Sequence, residues 1–135
     1  MKKVILFLLI AFVLAGCQPK PVTGVAISVA GGSYQSVTPD ELNTMLKNKD
    51  FVFINVHIPF AGNIAGTDLS IAYDQIEQSL SQLPTDKNTK IVLYCRSGHM
   101  SKIAAEKLVS LGFTNIWDLK GGMVDWEQAG YEIQQ

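Results

Sequence analysis

Cys17 and Cys95 are the only two cysteines of a 135-residue chain, and their surroundings differ. Cys95 follows Ile91, Val92, Leu93 and Tyr94, a β-rich apolar run, and precedes the polar stretch Arg96, Ser97, Gly98, His99, Met100, Ser101. Beyond it, Ile103, Ala104, Leu108 and Leu111 recur at helical spacing. A turn from strand to helix aims successive backbone N–H groups inward, and the helix N-terminus adds positive potential. With Arg96 alongside, that setting favours a thiolate, which is the nucleophilic form of cysteine. Gly98 allows the chain to turn where a side chain would obstruct it. The bland alternative, a small buried hydrophobe at a strand end, accounts less well for the polar residues that follow.

Other chemistries fit worse. A cysteine phosphatase needs an arginine six positions after the cysteine to clamp an oxyanion, and that position is Ser101. Cys95 and His99 lack the second cysteine of a CxxCH haem site. His57 and His99 lie far apart in sequence with one free thiol, so neither a metal nor any other cofactor is expected. Trp117, Trp126, Phe113 and Tyr131 have the spacing of packing residues. Lys+Arg 11 against Asp+Glu 12 leaves no basic stripe for nucleic acid.

Cys17 closes a different pattern. Lys2 and Lys3 lead into an unbroken apolar run from Val4 to Leu14, followed by Ala15, Gly16 and Cys17. A spanning helix needs about twenty apolar residues, so the run is a secretory leader and not a transmembrane segment. Leu14, Ala15, Gly16 and Cys17 resemble the lipobox of bacterial lipoproteins. The resemblance implies a signal peptide over 1–16, acylation of Cys17 and a lipid-anchored protein of the cell envelope, facing the periplasm or exterior. Gln18 in place of an aspartate implies the outer membrane in a Gram-negative host. With Cys17 acylated, Cys95 is the sole thiol, no internal disulfide forms, and a hydrophobic core must hold the domain.

With 47% hydrophobic and 17% charged residues, the remainder suits one compact domain. Residues 17–33, with Pro19, Pro21, Gly24, Gly31 and Gly32, read as a tether holding at most one loose strand, and the domain as 34–135. Thr38, Pro39 and Glu41 form a capping box that starts a helix running to about Lys47. Phe51–Val56 is a strand of the kind buried on both faces. A loop over 57–67 follows, then a short strand at Leu69–Ala72. Tyr73, Ile76, Leu80 and Leu83 predict a helix ended by Pro84. The Cys95 strand and its helix come next, closed by Gly112, then a strand at Asn115–Leu119 and a short helix at Met123–Gln128. This alternation predicts an α/β fold with a mainly parallel sheet and helices on both faces. Ligands bind at the carboxyl ends of such strands, where Cys95 stands.

The segment YCRSGHMSKIAAEKL from Tyr94 to Leu108 resembles the active-site loop and helix of the rhodanese domain. TPDEL at the first helix, FVFINV at the strand and GFTNIWDLKGGMVDW near the end extend the resemblance over 34–131. It implies a central five-stranded sheet and sulfurtransferase chemistry with a persulfide on Cys95, held by the backbone amides from Arg96 through Ser101. The implied partners are a small sulfane-sulfur donor such as thiosulfate and a thiol or cyanide acceptor, with the domain a monomer. Met100 stands where family loops often carry arginine, which implies weak affinity for a dianionic donor. Asn55, Val56 and His57 stand for Asp-Val-Arg, and Gly62–Gly66 for the glycine-histidine-isoleucine-proline-glycine stretch. A rhodanese-like module that binds without turnover is the rival, and Cys95 itself argues against it.

Overall fold

A computed structural model describes Gly16 and residues 20–135. The leader run and Cys17 lie outside the described residues. The chain forms β1 (Val25–Val29), β2 (Gly32–Val37), α1 (Pro39–Leu46), β3 (Val52–Asn55), β4 (Leu69–Ser70), a 3-10 segment (Glu77–Gln82), β5 (Ile91–Tyr94), α2 (His99–Ser110), β6 (Ile116–Leu119) and α3 (Gly122–Gln128). One sheet of order β1-β2-β6-β5-β3-β4 joins all the strands, and every pairing is parallel except β1 with β2.

Alternation along the central strands divides the core in two. Ile91 and Leu93 point to one face with Ile54, Ala104, Ala105 and Leu108 of α2. Val92 and Tyr94 point to the other with Phe53, Leu42 of α1 and Met123 and Trp126 of α3. Both faces are covered, which is why β5 is apolar at every position. Thr38 caps α1 as its sequence requires: its side chain accepts from Glu41 N–H while the Glu41 carboxylate accepts from Thr38 N–H (2.8 Å).

The sheet has six strands where five were expected, because it begins at Val25. The stretch read as a tether supplies β1, which turns through Ala30 and Gly31 to pair antiparallel with β2. Residues 73–83 do not form the expected helix. Tyr73 N–H donates to Val56 O (3.1 Å), which keeps the chain in the sheet's ladder. Only 3-10 turns follow, broken at Ser79 (φ −105°, ψ 16°), with Leu80 exposed and Leu83 buried. Among the described residues, no helix is long and apolar enough to cross a membrane.

Candidate active site

Cys95 leaves β5 at the carboxyl edge, one residue before exposed Arg96 and Ser97. Its Sγ accepts a hydrogen bond from Gly98 N–H at 3.0 Å. Gly98 takes φ 90° and starts α2 at His99, so the sulfur sits under the N-terminus of a twelve-residue helix. Cys95 is 1% exposed and packs in the α2-side core. His99 is exposed, and Met100 leans half-buried on that same core. Ser101 is buried and turns its hydroxyl to Gly98 O (3.4 Å), supporting the loop from behind. The structure thus brings 95–101 together as one turn, in which Gly98 supplies the amide that meets the sulfur.

The turn is held from outside by residues whose role sequence reading missed. Met123 N–H donates to Cys95 O and Val124 N–H to Arg96 O, both at 2.9 Å, so the first turn of α3 clamps the cysteine loop by its carbonyls. This close approach requires Gly122: a Cβ there would lie 2.3 Å from Cys95 O. The Gly121–Gly122 pair was legible as a family feature, but its clamping function is not visible in residue types.

A second support runs beneath the 57–67 loop. Asn55 is buried and donates from Nδ2 to Gly62 O and Asn63 Oδ1 (3.0 Å each), while its Oδ1 accepts from His57 N–H (3.0 Å). The Tyr94 hydroxyl accepts from Ile64 N–H (3.0 Å) and bonds Thr67 Oγ1 (2.7 Å). Burial, more than these bonds offset, raises the Tyr94 hydroxyl above its ordinary pKa. These groups fix the loop wall beside Cys95. His57, in that wall, has a buried Nδ1 without a hydrogen-bond partner, and burial with the nearby Arg96 charge lowers its pKa.

On the opposite face, Asp118 of β6 is 0% exposed and neither carboxyl oxygen has a hydrogen-bond partner. Burial raises its pKa to about 7; the Ser101 hydroxyl and the Lys102 ammonium offset that only in part. No cluster of three or more histidine, cysteine or acidic side chains placed for a metal occurs among the described residues.

With this geometry in place, comparison with known proteins gives the class. The family model described as a rhodanese-like domain matches residues 38–129, and the chain belongs to that family. A second model, the prokaryotic membrane lipoprotein lipid attachment site, matches residues 1–18. The mouse thiosulfate sulfurtransferase/rhodanese-like domain-containing protein 3 is 30% identical over 116 residues, covering 75% of this chain and 72% of that protein. An adenylyltransferase and sulfurtransferase of Candida albicans is 32% identical over 100 residues, but the match spans 67% of this chain and only 23% of that protein. Among solved structures, a rhodanese-related protein of Thermoplasma volcanium superposes with a TM-score of 0.63 at 29% identity, over 74% of this chain and 97% of its own.

Proposed function

We propose that the protein is a sulfurtransferase or sulfane-sulfur carrier that forms a persulfide on Cys95. The observation that carries this is the Gly98 amide on Sγ, at a helix N-terminus in a rhodanese-like loop. Such a donor stabilises negative charge on sulfur without itself ionising. The Cys95 thiolate attacks the outer sulfur of a donor; a sulfur–sulfur bond forms to Cys95 and the donor's own bond breaks, releasing sulfite when the donor is thiosulfate. An acceptor then attacks that outer sulfur, becoming thiocyanate if it is cyanide or a new persulfide if it is a thiol, and Cys95 returns as thiolate. Exposure of the protein to thiosulfate and, separately, to glutathione persulfide is expected to add the mass of one sulfur to Cys95. Cys95→Ser is expected to abolish that gain and all sulfur transfer. No gain with either donor on a fully reduced thiol would leave the domain a lipid-anchored binding module.

The lipid attachment match supports acylation at Cys17 and a lipid-anchored place in the cell envelope; we further propose that the domain faces away from the cytosol, at the outer membrane of a Gram-negative host because Gln18 follows Cys17. Several acyl chains anchor a protein stably where one does not. Cys17→Ser is therefore expected to move the protein from the membrane fraction to the soluble one; retention in the membrane would overturn the anchor.

A further inference from the structure

The path of the chain between Cys17 and β1 decides which way the domain faces. Val25 pairs with Ser36, so β1 begins near the carboxyl edge of the sheet, on the side of Cys95. The residues before it do not stay there. Gly24 turns with φ 64° and lies close against Trp117, and Val22 packs on the α1–α3 core. Lys20, Pro21 and Val22 then line a surface cavity of about 270 Å³ with Asn48, Asp50 and Lys90. Asp50 and Lys90 are ion-paired at 2.9 Å and lie within two residues of the starts of β3 and β5, so Lys20 stands where the parallel strands begin. Cys95 stands where they end. Five strand steps separate Lys90 from Cys95, roughly 16 Å. Cys17 is three residues from Lys20, a reach of about 10 Å at full extension.

The charges follow the same axis. Lys20, Lys47, Lys49, Lys87 and Lys90 all lie at the amino edge, where the acids are Asp50, Asp68 and Asp86. Asp50 and Asp68 are taken by Lys90 and Lys49, while Lys20, Lys47 and Lys87 make no ion pair among the described residues. Arg96, Lys102 and Lys120 at the carboxyl edge are also without an ion pair among the described residues, but they share that edge with Asp40, Glu41, Asp74 and Asp125, so the excess of lysine over acid lies at the edge beside the lipid, where Lys87 stacks over the Phe113 ring (3.7 Å). Each lysine near an anionic bilayer is worth roughly a fivefold gain in partition.

We propose that the acylated Cys17 and this lysine-bearing amino edge seat the domain on an anionic lipid surface, with the Cys95 turn on the far edge, where its exposed Arg96, Ser97 and His99 face the aqueous side. The orientation rests on the acylation proposed above. It assigns donor and acceptor to water-soluble species, since no bilayer-embedded molecule reaches the far edge.

The test uses the full lipidated chain in the Cys95→Ser background, carrying Asn48→Cys or Lys120→Cys as the only free thiol for a spin label. In vesicles of phosphatidylethanolamine and phosphatidylglycerol with a nickel-chelating lipid, relaxation of the label is expected to be several-fold stronger at 48 than at 120. Equal relaxation, or stronger relaxation at 120, would overturn the orientation. Replacing Lys20, Lys47 and Lys87 with glutamine is expected to shrink the difference, as is a switch to phosphatidylcholine; an unchanged difference in both would overturn the role of the lysines. Mass spectrometry of the same preparation separates the two readings. A chain without acyl groups would overturn the anchor and the orientation together, whereas an acylated chain with the wrong relaxation pattern would overturn the orientation alone.

Discussion

On the α1–α3 face of the sheet, Asn55, Asn63, Thr67 and Tyr94 exchange hydrogen bonds so that none of their buried side-chain polar atoms lacks a partner; on the α2 face, Asp118 is equally deep and has none. The first cluster holds the 57–67 loop, and Asp118 lies beside Ser101, whose hydroxyl is turned to Gly98 O of the Cys95 turn. A satisfied network in a low-dielectric interior fixes its members, while an unpartnered carboxyl resists ionisation and makes its surroundings sensitive to proton concentration. The first cluster is therefore expected to hold its loop alike across pH, and Asp118 to make the stability of the fold depend on pH.

The largest expected effect comes from removing the charge of Asp118. The folded protein holds a proton on Asp118 up to about pH 7, whereas an unfolded chain releases it near 3.8. Stability tied to this residue is thus fully present below about pH 4 and declines as pH rises toward 7, with the whole cost in place above that. Asp118→Asn, which cannot ionise, is expected to be close to neutral at pH 4 and to stabilise by on the order of 4 kcal/mol at pH 8. Thermal unfolding across that range checks it; a variant less stable than the parent at pH 8 would show that the carboxylate has a favourable partner after all.

Asn55→Ala tests the satisfied side. It leaves Gly62 O and His57 N–H without their partner and Asn63 Oδ1 with only the Tyr94 hydroxyl (3.2 Å), and is expected to cost about 2 kcal/mol. Unlike the effect at Asp118, this loss is expected to be flat between pH 5 and pH 8 in urea unfolding. A marked slope would mean that the network contains a titrating member, with His57 the first candidate.

The contrast also explains what was legible in the sequence. Local rules announced the Thr38 capping box, the all-apolar β5, the Gly98 turn and the start of α2, because each depends on residues adjacent in sequence. Strand β1 reads only as one loose strand of a tether because an edge strand is mostly exposed and Val25–Val29 lacks a strong alternation, and β2, which opens on glycine and serine, was not foreseen at all. The spacing of Tyr73, Ile76, Leu80 and Leu83 was genuine but outweighed by the backbone bond of Tyr73 to Val56, a tertiary contact. The clamp by Met123 and Val124 and the burial of Asp118 depend on which elements the fold stacks together. An aspartate between Trp117 and Leu119 looks like any solvent-facing strand residue until α2 covers it.

The smallest expected effect concerns Met100, which lies beside Ser101 in the first turn of α2. Its side chain rests half-buried on the α2-side core. An arginine can lay its methylenes on that same surface and extend the guanidinium beyond it, so Met100→Arg keeps the packing while adding a cation at the mouth of the loop. In a partly exposed position such a charge is worth on the order of 1 kcal/mol toward a dianion, which is a several-fold rise in kcat/KM with thiosulfate, diminished by salt. Glutathione persulfide, with less charge at the reacting sulfur, is expected to gain much less. An equal gain for both donors would mean that the substitution reshaped the loop or activated the thiolate in general. No gain for thiosulfate would mean that position 100 faces the core and not the ligand, and the weak-donor argument drawn from Met100 would fall with it.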